Sequence, residues 1–197
     1  MLSADWLRRR FAAAPAIAAI GGDDRIAGAG PATLTPASVL VPIVTHAREL
    51  TVLFTRRTAH LRDHSGQISF PGGRAEPSDD SPRATAVREA FEEIGLEAER
   101  IELLGALPEY CTRTGFCVTP VVGLVAPPLE LRPDAFEVDE VFEVPLAFLL
   151  DPANHQRHAR EIQGRPAHYY AIPYRDYYIW GATAGMLVNL YRFLSAV

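Results

Sequence analysis

The segment REAFEEIGL, Arg88 to Leu96, constrains the fold more than any other stretch of this sequence, because it concentrates glutamates where a helix is expected. At about 100° per residue, Glu89, Glu92 and Glu93 fall on one face of such a helix. Like charges at these spacings each cost a few tenths of a kcal/mol. A charge run is ordinarily a solvated helix face, but clustered carboxylates also bind hard divalent cations such as Mg²⁺. The helix alone leaves both interpretations open.

The bounds of this helix follow from its flanking residues. Ser81 suits the N-cap, Pro82 the first turn, and Gly95 the left-handed position just past the end. The pattern predicts a helix over residues 82–94. We expect an apolar stripe to face the core, almost opposite the glutamates, and it comprises Ala84, Val87, Phe91 and Ile94.

The rest of the chain reads as short strands mixed with further helices. Two β-branched runs, Val39–Val44 and Leu50–Arg57, flank a polar turn and predict a pair of strands. Near the N-terminus, Ser3 can cap a helix that carries Leu7 and Phe11 on one face. This mixture predicts an α/β or α+β domain.

Composition excludes several classes of protein. The formal net charge is −5 and the pI about 5.7, whereas nucleic-acid-binding surfaces are basic, so we expect no nucleic-acid partner. No apolar run approaches the length that crosses a bilayer, so we expect no membrane span. Cys111 and Cys117 are the only cysteines, fewer than a small disulfide scaffold carries. A cytoplasmic location is therefore expected.

The segment FPGGRAEPSDDSPRATAVREAFEEIGL resembles the Nudix box, whose second half reads R-E-U-x-E-E-x-G-U with U an apolar residue. Arg88 to Leu96 match this half if Ala90 is accepted as the apolar residue. The preceding loop is one residue longer than the general pattern, and the usual early glutamate is replaced by aspartate. Either Asp79 or Asp80 can occupy that position, and the sequence leaves the choice open.

A second resemblance narrows the family to its coenzyme A pyrophosphatase branch. The segment LFTRRTAHLRDHSGQISFPGG precedes the box and is similar to the motif of that branch, as is the late segment IWGATAGML. The resemblance begins at about Val39, so we expect a Nudix domain over 36–197 and an N-terminal helix and loop extension over 1–35. The matching positions of the first segment are Leu53, Thr55, Arg57, Arg62, Gly66 and Phe70 to Gly73.

The resemblance implies a Nudix-type α/β/α sandwich with a mixed β-sheet, and it implies a metal site. The box glutamates (Glu89, Glu92 and Glu93) would hold Mg²⁺ or Mn²⁺, and a backbone carbonyl of Gly72 or Gly73 would be a further ligand. Arg88 would tie the early acidic loop to the helix. Glu89 or an acid in the later segment EVDEVFEVP would orient or deprotonate the attacking water.

Four acids in that later segment are candidates for the water-activating group. They do not all point one way, since strand residues alternate between faces. Each is ordinarily a surface residue, and Glu140 is the one we select. The four acids are Glu137, Asp139, Glu140 and Glu143.

The resemblance also implies a substrate. Arg57 and Arg62 would contact phosphate, because arginine matches phosphate oxygens with a rigid fork of donors. The implied reaction is hydrolysis of coenzyme A or its derivatives to 3′,5′-ADP and 4′-phosphopantetheine. The alternatives are another nucleoside diphosphate derivative, such as ADP-ribose or a dinucleotide, and a nucleotide-sensing domain without activity. The sequence leaves the oligomeric state open, with a homodimer as one option.

Overall fold

The computed structural model describes residues 2–20, 34–59, 66–162 and 165–196. Its helices are α1 (Ala4–Ala13), α2 (Pro82–Ile94), α3 (Leu146–Leu149) and α4 (Ala182–Ser195). Its strands are β1 (Thr35–Thr45), β2 (Leu50–Arg57), β3 (Ile68–Ser69), β4 (Gly72–Arg74), β5 (Ile101–Ala106), β6 (Tyr110–Cys111), β7 (Phe116–Val125), β8 (Val138–Pro145), β9 (Gln156–Ile162), β10 (Arg165–Tyr174) and β11 (Tyr177–Trp180).

Strands β1 to β8 form one mixed sheet within the described ranges, with the order β3-β2-β1-β7-β5 along its main path. β1 runs parallel to β7, whereas β2 and β4 pair with β1 antiparallel. β9, β10 and β11 form a separate antiparallel sheet. The predicted mixed sheet is confirmed, and so is the predicted strand pair. The first strand is longer than the expected Val39–Val44 and begins at Thr35.

The sheet separates two hydrophobic cores. Because side chains alternate along a strand, Leu40 and Val44 of β1 pack on the α2 side. Val41 and Ile43 belong to the larger core, which α1 and α4 also enter. Helices therefore cover both faces of the sheet, as the predicted α/β/α sandwich requires. None of the helices in the described ranges has the length and apolar character needed to cross a bilayer.

Helix α2 begins and ends as predicted. The Ser81 hydroxyl accepts a hydrogen bond from the backbone N–H of Ala84 at 3.2 Å. Gly95 adopts φ +66°, and its N–H donates to the carbonyl of Phe91 at 2.8 Å. Both ends thus satisfy backbone groups that a helix leaves without partners.

The predicted inward face of α2 is correct at Ile94 and wrong at Phe91. Phe91 is 50% exposed, whereas Ala86, Ala90 and Ile94 are buried together with Glu93. The small alanines let the helix lie close to the sheet, so the inward face is centred between Ala90 and Glu93. Glu93 consequently lies within the buried face, whereas Glu89 is at its edge and Glu92 is exposed.

The described part of the predicted N-terminal extension packs against the rest of the chain. The Ser3 hydroxyl accepts from the N–H of Trp6 at 3.2 Å, and Leu7 and Phe11 are buried, as predicted for a capped amphipathic helix. Further along, Asn189 of α4 accepts from the N–H of Ile20 at 2.8 Å and donates to its carbonyl at 3.0 Å. This two-point contact fixes the end of the described extension to the last helix.

We predict that Asn189→Ala lowers the free energy of unfolding by about 1–3 kcal/mol, because it leaves two buried backbone groups of Ile20 without partners. Urea unfolding measures the loss. Ser195→Ala, at an exposed position of the same helix, is the control and should have little effect. Equal stability of the Asn189 variant and the parent would contradict the structural role of this contact.

Candidate active site

The Arg88 guanidinium contacts three carboxylates and one backbone carbonyl. Its Nε and Nη2 donate to the two carboxylate oxygens of Asp79 at 3.1 and 3.0 Å. Nη2 also donates to the carbonyl of Arg74 at 3.0 Å. Nη1 donates to Glu89 at 3.0 Å and to Glu92 at 2.8 Å. These contacts raise the pKa of Arg88, through Asp79 first, and they tie the loop after β4 to α2.

Of the two aspartates that the sequence left open, Asp79 is the one that Arg88 contacts. Its side chain is 6% exposed and also accepts from the N–H of Glu76 and the hydroxyl of Thr85, each at 2.9 Å. The Arg88 hydrogen bonds, followed by that of Glu76, hold the pKa of Asp79 well below its ordinary value. Asp80 is exposed. Asp79 is therefore an ionised anchor of the loop.

Glu93 turns inward from the helix and is 5% exposed. Burial raises the pKa of its carboxyl to about 8, and the negative charges of Glu137 and Glu89 act in the same direction. The positive charge of Arg57 and the N–H of Gly72 oppose the rise. Without a bound cation, this carboxyl therefore holds a proton over much of the neutral range.

The two glycines of the FPGG segment allow the close approach of β4 to its neighbours. A Cβ at Gly72 would lie 2.6 Å from the Cα of Val39 on β1, and a Cβ at Gly73 would overlap the carboxylate of Glu89. Burial is the main cause that raises the pKa of Glu89, and Arg88 opposes it. The glycines thus bring the backbone of β4 against a half-buried carboxylate.

The structure does not bring Glu140 together with the box glutamates. Its carboxylate lies 2.9 Å from a guanidinium nitrogen of Arg56 and accepts from the hydroxyl of Tyr177 at 2.6 Å. Glu137 is the acid of this segment whose charge raises the pKa of two box glutamates.

A bulge in β8 explains why the sequence, which offered Glu137 among four candidates, did not single it out. Arg56 of β2 pairs with Glu140, and the next residue, Arg57, pairs with Val138. One residue of β8 between these two pairs therefore has no partner on β2, and the register of the strands shifts at this point. The carbonyl of Glu137 then accepts from the N–H of Thr58 at the end of β2. Such a register shift depends on pairing between distant strands, and we find no local signal for it.

The donor set suits a hard divalent cation in its chemistry. Glu89, Glu93 and Glu137 supply carboxylate oxygens that influence one another's charge, and Gly72 and Gly73 bring backbone close to them. In the described side-chain positions, no three acidic, histidine or cysteine groups converge on one point. Glu92, 55% exposed, is held by Arg88. The chemistry of these residues therefore suits a divalent cation. In their described positions, however, no three of the side chains are arranged to bind one cation together.

A cleft of about 300 Å³ opens beside the two glycines. Arg57 lines it with polar groups of Gln67 and Ser69, and the apolar part of its wall comes from other residues. The predicted phosphate-contacting residue Arg57 thus lies in the cleft, whereas Arg62 lies outside the described residues. The apolar wall comprises Ala37, Val39, Phe70, Phe116, Val118, Ala182 and Met186.

Comparisons with known proteins indicate a single family. The family model described as the NUDIX domain matches residues 34–163. A protein of Photorhabdus laumondii named uncharacterized Nudix hydrolase NudL is 40% identical over 154 residues, which cover 78% of this chain and 82% of that protein. The NudL of Citrobacter koseri is 42% identical over 156 residues, with 78% and 80% covered.

A solved structure shares the fold. The crystal structure of RenU, a Nudix hydrolase from M. smegmatis, superposes with a TM-score of 0.50 at 26% identity, covering 60% of this chain and 75% of that one. The same conclusion is supported by the family model, by the two NudL relatives, and by the box helix that Arg88 holds in place. The chain belongs to the Nudix hydrolase family.

Proposed function

We propose that this Nudix hydrolase is a diphosphatase that cleaves the phosphoanhydride of coenzyme A or its derivatives, giving 3′,5′-ADP and a 4′-phosphopantetheine product. The observation that carries the proposal is the position of Arg57. It lines the cleft with Gly72 and Gly73, and its charge acts on the buried Glu93. A guanidinium placed there can hold phosphate oxygens of a substrate next to the carboxylates. The resemblance to the coenzyme A branch includes this same arginine.

The apolar wall of the cleft also supports the proposal. Val39, Phe116 and Ala182, which are partly exposed, can pack against an adenine ring or a pantetheine chain, both of which have apolar surface. The guanidinium of Arg74 lies 5.2 Å from the centre of the Phe116 ring, which adds positive charge at the mouth of the cleft. Coenzyme A carries a 3′-phosphate besides its diphosphate, so extra positive charge suits it.

We infer that Glu89 and Glu93 would hold Mg²⁺ or Mn²⁺, with Glu92 joining them once it leaves Arg88. When bound, such a cation neutralises the diphosphate, polarises its phosphoryl oxygens and lowers the pKa of bound water. The contribution of Arg88 is to orient the box helix through Asp79. Glu93 would give up its proton to serve as a ligand, because only the carboxylate binds a cation well.

Glu137 replaces Glu140 as our candidate for the group that orients or deprotonates the attacking water. Its charge reaches Glu89 and Glu93, whereas Glu140 is engaged with Arg56. A carboxylate in this position can accept the proton of the water as the water attacks phosphorus.

We also propose that residues 36–197 form the catalytic domain and that residues 1–35 are an extension of it. In the described part of the extension, Leu7 and Phe11 pack into the larger core of the domain. A cytoplasmic location and a homodimer stay predictions.

The substrate is tested by product analysis and by one pair of variants. With Mg²⁺, coenzyme A should yield 3′,5′-ADP and 4′-phosphopantetheine. Arg57→Gln should raise the KM about 10- to 100-fold, because a charge-assisted contact to phosphate is lost. Arg56→Gln is the matched control and should keep the KM, since Arg56 pairs with Asp139 and Glu140 instead.

Three outcomes would redirect the assignment. Equal cleavage of coenzyme A and its 3′-dephospho form would remove the argument from extra positive charge. Faster cleavage of ADP-ribose or a dinucleotide would keep the chemistry and change the substrate. Binding of these nucleotides without cleavage would favour a sensor.

A second pair of variants distinguishes the two downstream acids. Glu137→Gln should lower kcat by about 10²- to 10⁴-fold, as expected when a general base is removed. Glu140→Gln should leave kcat close to that of the parent. The reverse result would return the role to Glu140.

Glu93→Gln should abolish most turnover and also change stability. The pKa of Glu93 is about 8 in the folded protein against an ordinary 4.5, so folding favours the protonated carboxyl. The free energy of unfolding of metal-free parent should therefore fall as the pH rises from 4.5 towards 8, and the variant should lack this fall. Urea unfolding in a chelator at about pH 5 and about pH 8 measures both slopes.

Glu92→Gln is the control for the pH slope of the metal-free protein alone, because Glu92 is exposed and lies on the same helix. Added Mg²⁺ should raise the Tm of the parent more than that of the Glu93 variant. An unchanged pH slope in Glu93→Gln would show that burial does not perturb this carboxyl.

A further inference from the structure

The hairpin of β6 and β7 places the chain's two cysteines opposite each other. Cys111 and Cys117 are paired across the antiparallel strands, and their sulfur atoms lie 2.8 Å apart. The next pair, Thr112 and Phe116, is joined by a hydrogen bond from the Thr112 N–H to the Phe116 carbonyl at 2.7 Å. The cysteines therefore occupy the adjacent pair without ladder hydrogen bonds, where Cα atoms are about 4.5 Å apart. That spacing lies within the range that a disulfide accepts.

The backbone around the two thiols is held in place. Tyr110, next to Cys111, is 2% exposed and belongs to the larger core. At the turn, the N–H of Phe116 donates to the Thr112 hydroxyl at 3.1 Å, and Gly115 supplies a left-handed residue at φ +93°. An S–S bond between Cys111 and Cys117 can therefore form without rearrangement of the strands.

Small oxidants can reach Cys117 from the face opposite the substrate cleft, and Cys111 lies next to it with its own side chain partly exposed. Cys117 lines a second cleft of about 540 Å³, together with Glu109 and the loop that contains Asp79. Both cysteines are partly exposed. The Cys117 thiol also donates to a carboxylate oxygen of Glu109 at 3.3 Å, so a proton acceptor is already in contact with it.

We propose that Cys111 and Cys117 are a site of reversible oxidation, at which a hydroperoxide converts the two thiols to a disulfide across the hairpin. The O–O bond breaks and an S–S bond forms. The two sulfur atoms together lose two electrons, and the peroxide leaves as one alcohol and one water molecule. A dithiol reductant reverses the change by thiol–disulfide exchange.

The contacts assign an order to the two sulfur atoms. Burial, and then the hydrogen bonds with Cys111 and Glu109, raises the pKa of Cys117 to about 12, so this thiol keeps its proton. Cys111 attacks the peroxide oxygen first, passes its proton to the departing alkoxide and becomes a sulfenic acid. Cys117 then attacks that sulfur and expels hydroxide, which receives the Cys117 proton through the Glu109 carboxylate.

The disulfide would act on the substrate cleft through the turn that it closes. Thr112, Thr114 and Phe116 of this hairpin line the cleft, on the side away from the box helix. Locking the turn therefore changes how the cleft wall adapts to substrate and leaves the carboxylates in place. We expect oxidation to alter the KM more than kcat.

The test treats the full-length protein with hydrogen peroxide, followed by thiol titration and peptide mapping. The parent should lose both titratable thiols, yield a peptide linked through Cys111 and Cys117, and regain its thiols with dithiothreitol. Cys111→Ser and Cys117→Ser are matched controls that cannot form the link. Glu109→Gln should slow closure of the disulfide, measured as a sulfenic acid that persists longer.

Thiols that survive peroxide, or that oxidise to sulfinic acid without the linked peptide, would overturn the site. These measurements need no substrate, so they stand apart from the proposed hydrolysis. A linked peptide accompanied by a loss of kcat at unchanged KM would overturn the action on the cleft. The double variant Cys111→Ser/Cys117→Ser should keep its KM in peroxide, and a shifted KM there would assign the effect to other residues.

Discussion

The Arg88 guanidinium is the contact on which the arrangement of the active site depends. It joins α2 to the loop after β4 through the buried Asp79 and the carbonyl of Arg74. Exposed ion pairs contribute little, but a two-point pair with a buried aspartate holds its partners firmly. By fixing α2 against β4, Arg88 sets Glu89 and Glu93 beside the glycine backbone. The same guanidinium offsets part of the negative charge that the box glutamates accumulate.

The charge that Arg88 leaves uncompensated is concentrated at Glu93. Burying a carboxylate is unfavourable unless it is paired, and the protein responds by keeping this group protonated when no cation is present. Its neighbours include two further acids and the positive charge of Arg57. Such an arrangement reduces the stability of the protein, and the divalent cation that we propose for this site would relieve that cost. Local cost of this kind is common where a fold carries function.

Local signals predicted the elements well and their orientation less well. Ser81, Pro82 and Gly95 act on their own helix, so the bounds of α2 followed from the sequence. The exposure of Phe91 did not, because an angular plot does not show which side of the helix meets the sheet. Asp79 and Glu137 were among the acids considered, yet their selection depended on a loop contact and on a bulge in β8.

The sequence by itself determined the family and the helix that carries the box glutamates, and it named the residues that we propose bind a cation and phosphate. These properties reside in residue types at fixed spacing along the chain. Tertiary structure alone decided which acids meet, that Glu93 is buried, and that Cys111 faces Cys117. The first two outcomes depend on packing between segments that are distant in the sequence, and the third depends on the register of the short β6–β7 hairpin. Charges and thiols interact through space at the distances which that packing and register set.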